Sequence, residues 1–194
     1  MYSERSQILS LIGFALWWIM CSAAPLPDFS GDSGFQQFVH KNREFVTKIK
    51  GDVSTIKNLL SQAFKFDDSQ LLMAQQFLNI KPMDHSLCRK ESCDVEGCFS
   101  QIQIGLENYR QALSLISEIL PDYADQLSSL QADILNLSIN IRDQMETIGI
   151  TLVTYPTAEN IVLQNQREIG SYLILHNLQK FMEAIYRALR HCSS

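Results

Sequence analysis

Apolar residues recur every three or four positions along four separate segments of the chain. In the last segment, residues 171–192, they stand at positions 172, 175, 178, 182, 185, 189 and 192. Such spacing forms one stripe on an α-helix of about 20 residues. A lone helix cannot bury its own stripe, so we expect other helices to cover this one.

The same periodicity predicts three further helices, at about residues 35–63, 94–120 and 123–148. The second is the most regular, and Pro121 ends it, whereas Gly149 ends the third. Asn42 and Asp52 interrupt the stripe of the first. Long connections, at about 65–92 and 150–162, follow the first and third helices, and a very short turn follows the second.

The order of long, short and long connections predicts how the helices run. A short link makes the second and third helices antiparallel, and long links allow the first pair and the last pair to run parallel. We therefore predict an all-α fold, an up-up-down-down long-chain four-helix bundle with two long crossover connections. This is the arrangement of growth hormones and cytokines.

The N-terminal segment is typical of a secretory signal peptide. An apolar run at 8–20 follows a short polar start carrying Arg5, and small residues follow at 22–24. The run is too short to span a bilayer comfortably, so a membrane anchor is the less favoured alternative. We predict a signal peptide at 1–23, cut after Ala23 in preference to Ala24, and a bundle domain at 24–194. The mature chain is then expected to be soluble, secreted and extracellular.

Composition argues against two classes of function. A net charge of -5 and a pI near 5.3 disfavour nucleic-acid binding, which uses basic faces. Histidines 40, 85, 176 and 191 are scattered, and the sequence has no Glu-x-x-His pair and no phosphate loop. We predict no catalytic residues and no cofactor.

The cysteines suggest disulfides. Loss of Cys21 with the signal peptide leaves four, at positions 88, 93, 98 and 192. Four cysteines in an oxidising compartment form two bridges with three possible connectivities. A zinc site that adds His85 is the alternative, but the spacing does not match the usual short zinc motifs. We therefore predict no metal site.

Several short segments on the predicted helices match one known family in the same order. The matching positions are 48–49, 51–52, 97–98, 100–101, 105–106, 109, 130–131, 133, 145–146, 149, 178–179, 181, 183, 186–187 and 189–191. Together they resemble the long-chain helical cytokines of the interleukin 6, granulocyte colony-stimulating factor and myelomonocytic growth factor family, in a non-mammalian vertebrate version. The resemblance implies a growth factor that binds and bridges a class I cytokine receptor. It would drive proliferation and differentiation of granulocyte-lineage cells.

The resemblance also implies two receptor-binding surfaces. The first surface lies on the first and third helices, and its matching residues are Lys41, Glu44, Lys48, Asp52, Asp133, Asn136, Asn140 and Glu146. The second surface lies near the start of the first long connection, at Phe64, Phe66, Asp68 and Gln70. Glu44 matches the family's central acidic contact. The alternative is that the polar row around Glu44 is an ordinary solvated helix face.

A competing function is a secreted carrier of lipid or a small hydrophobic ligand, built on the same bundle. Such a carrier would leave apolar surface uncovered after packing. Each predicted helix instead has a full polar face. We therefore favour the receptor ligand.

Two features depart from the family pattern. The family's early disulfide would join positions 61 and 67, which are Ser61 and Asp67, and its later one matches Cys88–Cys98. Cys93 and Cys192 are then extra. In the up-up-down-down order the second helix begins at the end where the fourth finishes, so we predict a Cys93–Cys192 bridge that closes a loop of about 100 residues.

The second departure is a glycosylation sequon, Asn136-Leu137-Ser138. Asn136 lies opposite the apolar stripe, so a glycan could be accommodated there. It also matches an acidic contact position, where a sugar would obstruct the first surface. Either the sequon stays empty or the contact has moved, and we favour an empty sequon.

Overall fold

The computed structural model describes residues 31–77, 88–89, 92–151 and 167–192. Its α-helices are α1 (Ser33–Phe64), α2 (Asp68–Phe77), α3 (Val95–Ile119), α4 (Ala124–Thr147) and α5 (Arg167–His191). Two short strands, β1 (Cys88–Arg89) and β2 (Ser92–Cys93), pair antiparallel, and a 3-10 turn at Pro121–Tyr123 leads from α3 into α4. The predicted signal peptide and most of the connection at 150–162 lie outside the described residues.

Side-chain contacts between helices fix the direction of each one. Residue numbers rise on one helix as they fall on its neighbour, so each neighbouring pair is antiparallel. The contacts are Arg43 with Tyr186 and Lys57 with His176 for α1 and α5, Asn42 with Asn140 and Lys48 with Asp133 for α1 and α4, and Gln103 with Ser138 and Arg110 with Gln131 for α3 and α4. It follows that α1 runs with α3 and α4 with α5. The up-up-down-down bundle is confirmed.

Aspartates fix the start of two of these helices. The Asp32 carboxylate accepts a hydrogen bond from the Phe35 amide at 2.8 Å, and Asp94 accepts one from the Gly97 amide at 3.0 Å. Each cap satisfies a backbone N–H group that has no partner within its own helix. The predicted helix starts at 35 and 94 therefore lie close to the observed ones.

Buried aromatic rings connect α1 with α3 near one end of the bundle. Phe35 and Phe99 are fully buried, with ring centroids 6.3 Å apart, and Phe38 lies 6.1 Å from Phe99. Farther along α3, Gly105 allows α5 to come close, because a Cβ atom there would overlap the Phe181 ring. The buried core thus extends from α1 through α3 to α5.

The strand pair holds the start of α3 against the end of α5. Cys88 stands opposite Cys93 in the ladder. In the structure Cys88 is bonded to Cys98 in the first turn of α3, and Cys93 is bonded to Cys192 just after α5. The Cα atoms of the two pairs are 5.2 and 5.4 Å apart. Both disulfides therefore lie at the same end of the bundle, where α3 begins and α5 ends.

Among the described residues, none of the helices is long and apolar enough to cross a bilayer.

Candidate binding surfaces

The α1 part of the first surface is a single exposed row. Lys41, Glu44, Lys48 and Asp52 are spaced by three or four residues, so they lie along one side of the helix, towards α4. Glu44 is the most open acid of the row, with 71% of its side chain exposed. Its Oε1 lies 3.7 Å from Nε2 of His40, which is also exposed. Its carboxylate is therefore accessible to a partner.

Lys48 connects the row to α4. Its Nζ donates to Oδ2 of Asp133 at 2.5 Å and to Oδ2 of Asp52 at 3.0 Å. The hydrogen bond to Asp133, followed by the one to Asp52, raises the pKa of Lys48 above its ordinary value. The pair of Lys48 with Asp52 is largely exposed, and exposed ion pairs contribute little to stability. Their effect here is to hold the polar side chains of α1 and α4 together in one continuous face.

A buried amide lies beneath this face. Asn42 is 3% exposed, its Nδ2 donates to the Phe38 carbonyl at 2.9 Å, and its Oδ1 accepts from Nδ2 of Asn140 at 3.2 Å. A buried amide with its hydrogen bonds satisfied is tolerated in a core. Asn42, which interrupts the apolar stripe of α1, thus forms a hydrogen bond that helps to position Asn140 of α4.

The structure does not bring all the predicted residues of α4 together. Asn136 is exposed and stands three residues after Asp133 and four before Asn140, on the same side of the helix. Glu146 is also exposed but lies about 140° around α4 from Asp133, because each residue advances roughly 100°. It shares its side with Leu135 and Ile139. The geometry therefore separates Glu146 from the rest of the first surface.

The second surface is built on stacked aromatic rings. The ring centroids of Phe64 and Phe66 lie 5.8 Å apart, and Phe66 lies 5.1 Å from Tyr172 of α5. Phe64 is 41% exposed. Asp68 and Gln70 are exposed in the first turn of α2. The structure thus places all four predicted residues where α1 ends and α2 begins.

The short helix α2 adds exposed apolar surface outside the four predicted helices. Leu72 and Met73 are 65% and 63% exposed, although α2 packs against α5. They stand two and three residues after Gln70 in the chain. The only signal in the sequence was a cluster of apolar residues without a helical period.

The cap of α2 occupies one of the positions that the family's early disulfide would use. Asp67 accepts hydrogen bonds from the Ser69 hydroxyl at 2.7 Å and the Ser69 amide at 3.3 Å. These bonds, the hydroxyl first, lower the pKa of Asp67. The carbonyl of Ser61 accepts from the Lys65 amide and closes α1. Hydrogen bonds thus order this junction in place of a covalent bond.

A polar cluster lies between α1 and α5, beside the second surface. Lys57 Nζ donates to Oε1 of Gln179 at 2.7 Å and lies 3.2 Å from Nδ1 of His176. Partial burial, and then the charges of Lys57 and Lys180, lower the pKa of His176, while Glu183 opposes the shift. His176 is thus part of the contact between α1 and α5.

This cluster predicts a loss of stability in mild acid. A histidine whose pKa is lowered in the folded state takes up its proton first in the unfolded chain, so its stabilising effect is present above about pH 6.5 and disappears as the pH falls through the folded pKa. His176→Gln should therefore show a shallower decline in unfolding free energy between pH 7 and 5 than the wild type. Urea unfolding at several pH values measures both slopes, and parallel slopes would contradict the prediction.

The sulfur atoms of Cys93, Cys98 and Cys192 lie within 4.8 Å of one another, because the two disulfides are neighbours. Sulfurs held in disulfides are not thiolate ligands for zinc. His85, which the zinc alternative invoked, lies outside the described residues. Nothing in this cluster supports catalysis or metal binding.

Comparison with known proteins identifies the family. The profile described as granulocyte colony-stimulating factor matches residues 46–190. Chicken (Gallus gallus) myelomonocytic growth factor is 37% identical over 182 residues, covering 90% of both chains. Granulocyte colony-stimulating factor of the cat (Felis catus) is 33% identical over 191 residues, covering 94% of this chain and 97% of the relative. The human (Homo sapiens) protein is 30% identical over 194 residues, covering 94% and 93%.

The higher identity with the chicken protein supports the expected non-mammalian version of the family. The names of these relatives describe growth factors, and the family is not one of enzymes. The matched span includes most of α1 and all of α4, the two helices that carry the first surface, and it begins just after Lys41 and Glu44. This chain belongs to the granulocyte colony-stimulating factor family of helical cytokines.

Proposed function

We propose that this chain is a secreted cytokine that binds and bridges a class I cytokine receptor of the granulocyte colony-stimulating factor receptor type. Signalling would then drive proliferation and differentiation of granulocyte-lineage cells. Family membership and the up-up-down-down bundle support this proposal. Secretion through the signal peptide at 1–23 is part of it, and N-terminal sequencing of the released protein should begin at Ala24.

The observation that carries the proposal is the open carboxylate of Glu44. The carboxylates of Asp52 and Asp133 are both engaged by Lys48, whereas Glu44 is 71% exposed. An exposed carboxylate with ordered polar neighbours suits a receptor arginine, which can form two parallel charge-assisted hydrogen bonds. At the centre of a desolvated patch such a pair is typical of a binding hot spot.

Glu44→Ala is therefore expected to weaken association with the receptor ectodomain by about 2 kcal/mol or more, roughly 30-fold. Titration of the purified chain against the ectodomain measures this. The matched control is Glu118→Ala, because Glu118 is an exposed glutamate of α3, which carries neither surface. No association of the wild type would end the receptor-ligand proposal. Equal losses in both variants would end only the assignment to Glu44.

We also propose that the second surface recruits another receptor chain through its immunoglobulin-like module. Phe64 presents an exposed ring that stacks on Phe66, and Phe66 in turn packs against Tyr172. An aromatic anchor held in this way is typical of a binding hot spot. Two separate surfaces on one ligand are what bridging requires.

Phe64→Ala should leave the first binding step within about threefold and weaken the second by roughly tenfold or more. Light scattering of the mixture should then show a complex with fewer receptor chains than the wild type forms. A Phe64→Ala chain that assembles the full complex at the same concentrations would contradict this role.

A further inference from the structure

The sequon of α4 is split between solvent and core. Asn136 is exposed, but Ser138, two residues on, is only 9% exposed. The Ser138 hydroxyl donates to Oε1 of Gln103 at 2.5 Å, and Nε2 of Gln103 donates to the Ser138 carbonyl at 2.6 Å. The third residue of the sequon is therefore part of the contact between α3 and α4.

This placement decides when the sequon can be recognised. The hydroxyl at the third position is what defines an N-x-Ser/Thr acceptor. In the folded bundle that hydroxyl is buried and bonded to Gln103, and the whole triplet lies inside α4. Before α3 and α4 pair, the Ser138 hydroxyl is accessible to the enzyme that transfers the glycan. We propose that Asn136 accepts an N-linked glycan only before the bundle folds, and that this glycan then closes the first surface.

The modification itself is an ordinary group transfer. Nδ2 of Asn136 forms a bond to the anomeric carbon of an oligosaccharide carried on a lipid pyrophosphate. The bond from that carbon to the pyrophosphate oxygen breaks, the lipid pyrophosphate leaves with the electron pair, and Nδ2 gives up one proton. Because the Asn136 side chain points to solvent in the folded chain, the attached glycan does not prevent α3 and α4 from pairing.

The glycan would stand inside the first surface. Asn136 lies within one helical turn of Asp133 and Asn140, about 5–6 Å between Cβ atoms. These neighbours contact Lys48 and Asn42 of α1. A bulky glycan at this position excludes a protein partner from both helices. This part of the inference rests on the proposed function of the first surface.

The two outcomes for a newly made chain are thus exclusive. A chain that folds first keeps Asn136 unmodified and can bind receptor, whereas a chain that is modified first folds with its first surface covered. The speed with which α3 and α4 pair then sets the active fraction of the secreted protein. The sequence contains one such triplet, so no other sequon complicates the result.

The timing is tested with purified oligosaccharyltransferase and its lipid-linked donor. One acceptor is the folded chain, and the other is the full chain with its cysteines reduced and carboxymethylated, shown to be unfolded by circular dichroism. The unfolded chain should be modified roughly tenfold faster or more, because the folded one must first open locally. Equal rates, or no modification of either chain, would overturn the inference.

The blocking effect is tested on protein from secretory cells, separated into glycosylated and unmodified chains. The glycosylated chain should bind the receptor ectodomain roughly 30-fold more weakly, the effect of losing a hot-spot contact. Removal of the glycan by peptide-N-glycosidase, which leaves an aspartate in place of Asn136, should restore binding. The matched control is the same chain from cells treated with tunicamycin, which blocks synthesis of the lipid-linked donor and leaves Asn136 and the contact between Ser138 and Gln103 unchanged.

These results separate the two proposals. Equal binding by glycosylated and unmodified chains would overturn the inference and leave the proposed function intact. An unmodified chain that does not bind would end the proposed function, and the blocking effect with it.

Discussion

A chain carrying both Cys93→Ser and Cys192→Ser is expected to lose about 4–5 kcal/mol of its unfolding free energy. The bridge joins residues separated by 99 positions, and a long closed loop restricts the unfolded chain most. For a domain of this size the melting temperature should fall by roughly 8–20 °C. Thermal unfolding followed by circular dichroism, without reductant, measures the difference.

The matched control is the double variant Cys88→Ser with Cys98→Ser. Its bridge spans a separation of 10, so the same loop-entropy argument gives about 3 kcal/mol or less. Neither bridge touches the first or second surface, so both variants should bind receptor like the wild type at temperatures where they stay folded. A free thiol at Cys192 in peptide maps, or equal losses in the two variants, would contradict the expectation.

Much of the bundle could be predicted because it depends on local regularities. The apolar period gives the helices, and the connection lengths give their directions. Asp32 and Asp94 then cap α1 and α3 near the predicted starts. The end of α3 was equally clear from Pro121.

One helix was missed and the start of another was misplaced, each for a physical reason. In α2, Leu72 and Met73 face solvent and Ala74 is buried, so its apolar residues do not form a stripe. The helix α5 begins at Arg167, four residues before the predicted start, because Gly170 and Ser171 are buried although neither is strongly apolar. Periodicity detects buried apolar side chains and does not detect small residues at a close contact.

The geometry of the candidate surfaces depends on register between helices, which periodicity does not contain. The contact of Lys48 with Asp133 joins residues 85 positions apart. In the sequence Asn42 only interrupts an apolar stripe, and the packing of α4 against α1 places Asn140 beside it. The position of Glu146 is an exception, because the advance of about 100° per residue already places it away from Asp133 in the sequence.

Phe99→Ala is expected to cost about 3–5 kcal/mol of unfolding free energy, because it removes a fully buried ring and leaves a cavity. The loss is a large part of the roughly 5–15 kcal/mol that holds such a domain folded. Phe35 and Phe38 of α1 would lose their shared neighbour on α3. The melting temperature should fall by roughly 6–20 °C, measured by calorimetry or circular dichroism.

Phe64→Ala is the matched comparison, since it removes the same side chain from a site that is 41% exposed. Its stability loss should be clearly smaller, because less apolar surface leaves the core. For receptor binding the order of the two variants should be reversed, with the larger loss in Phe64→Ala. At a temperature where both variants are folded, Phe99→Ala should assemble the receptor complex normally and Phe64→Ala should not. If Phe99→Ala also lost receptor binding while fully folded, the separation of a supporting core from two binding surfaces would be wrong.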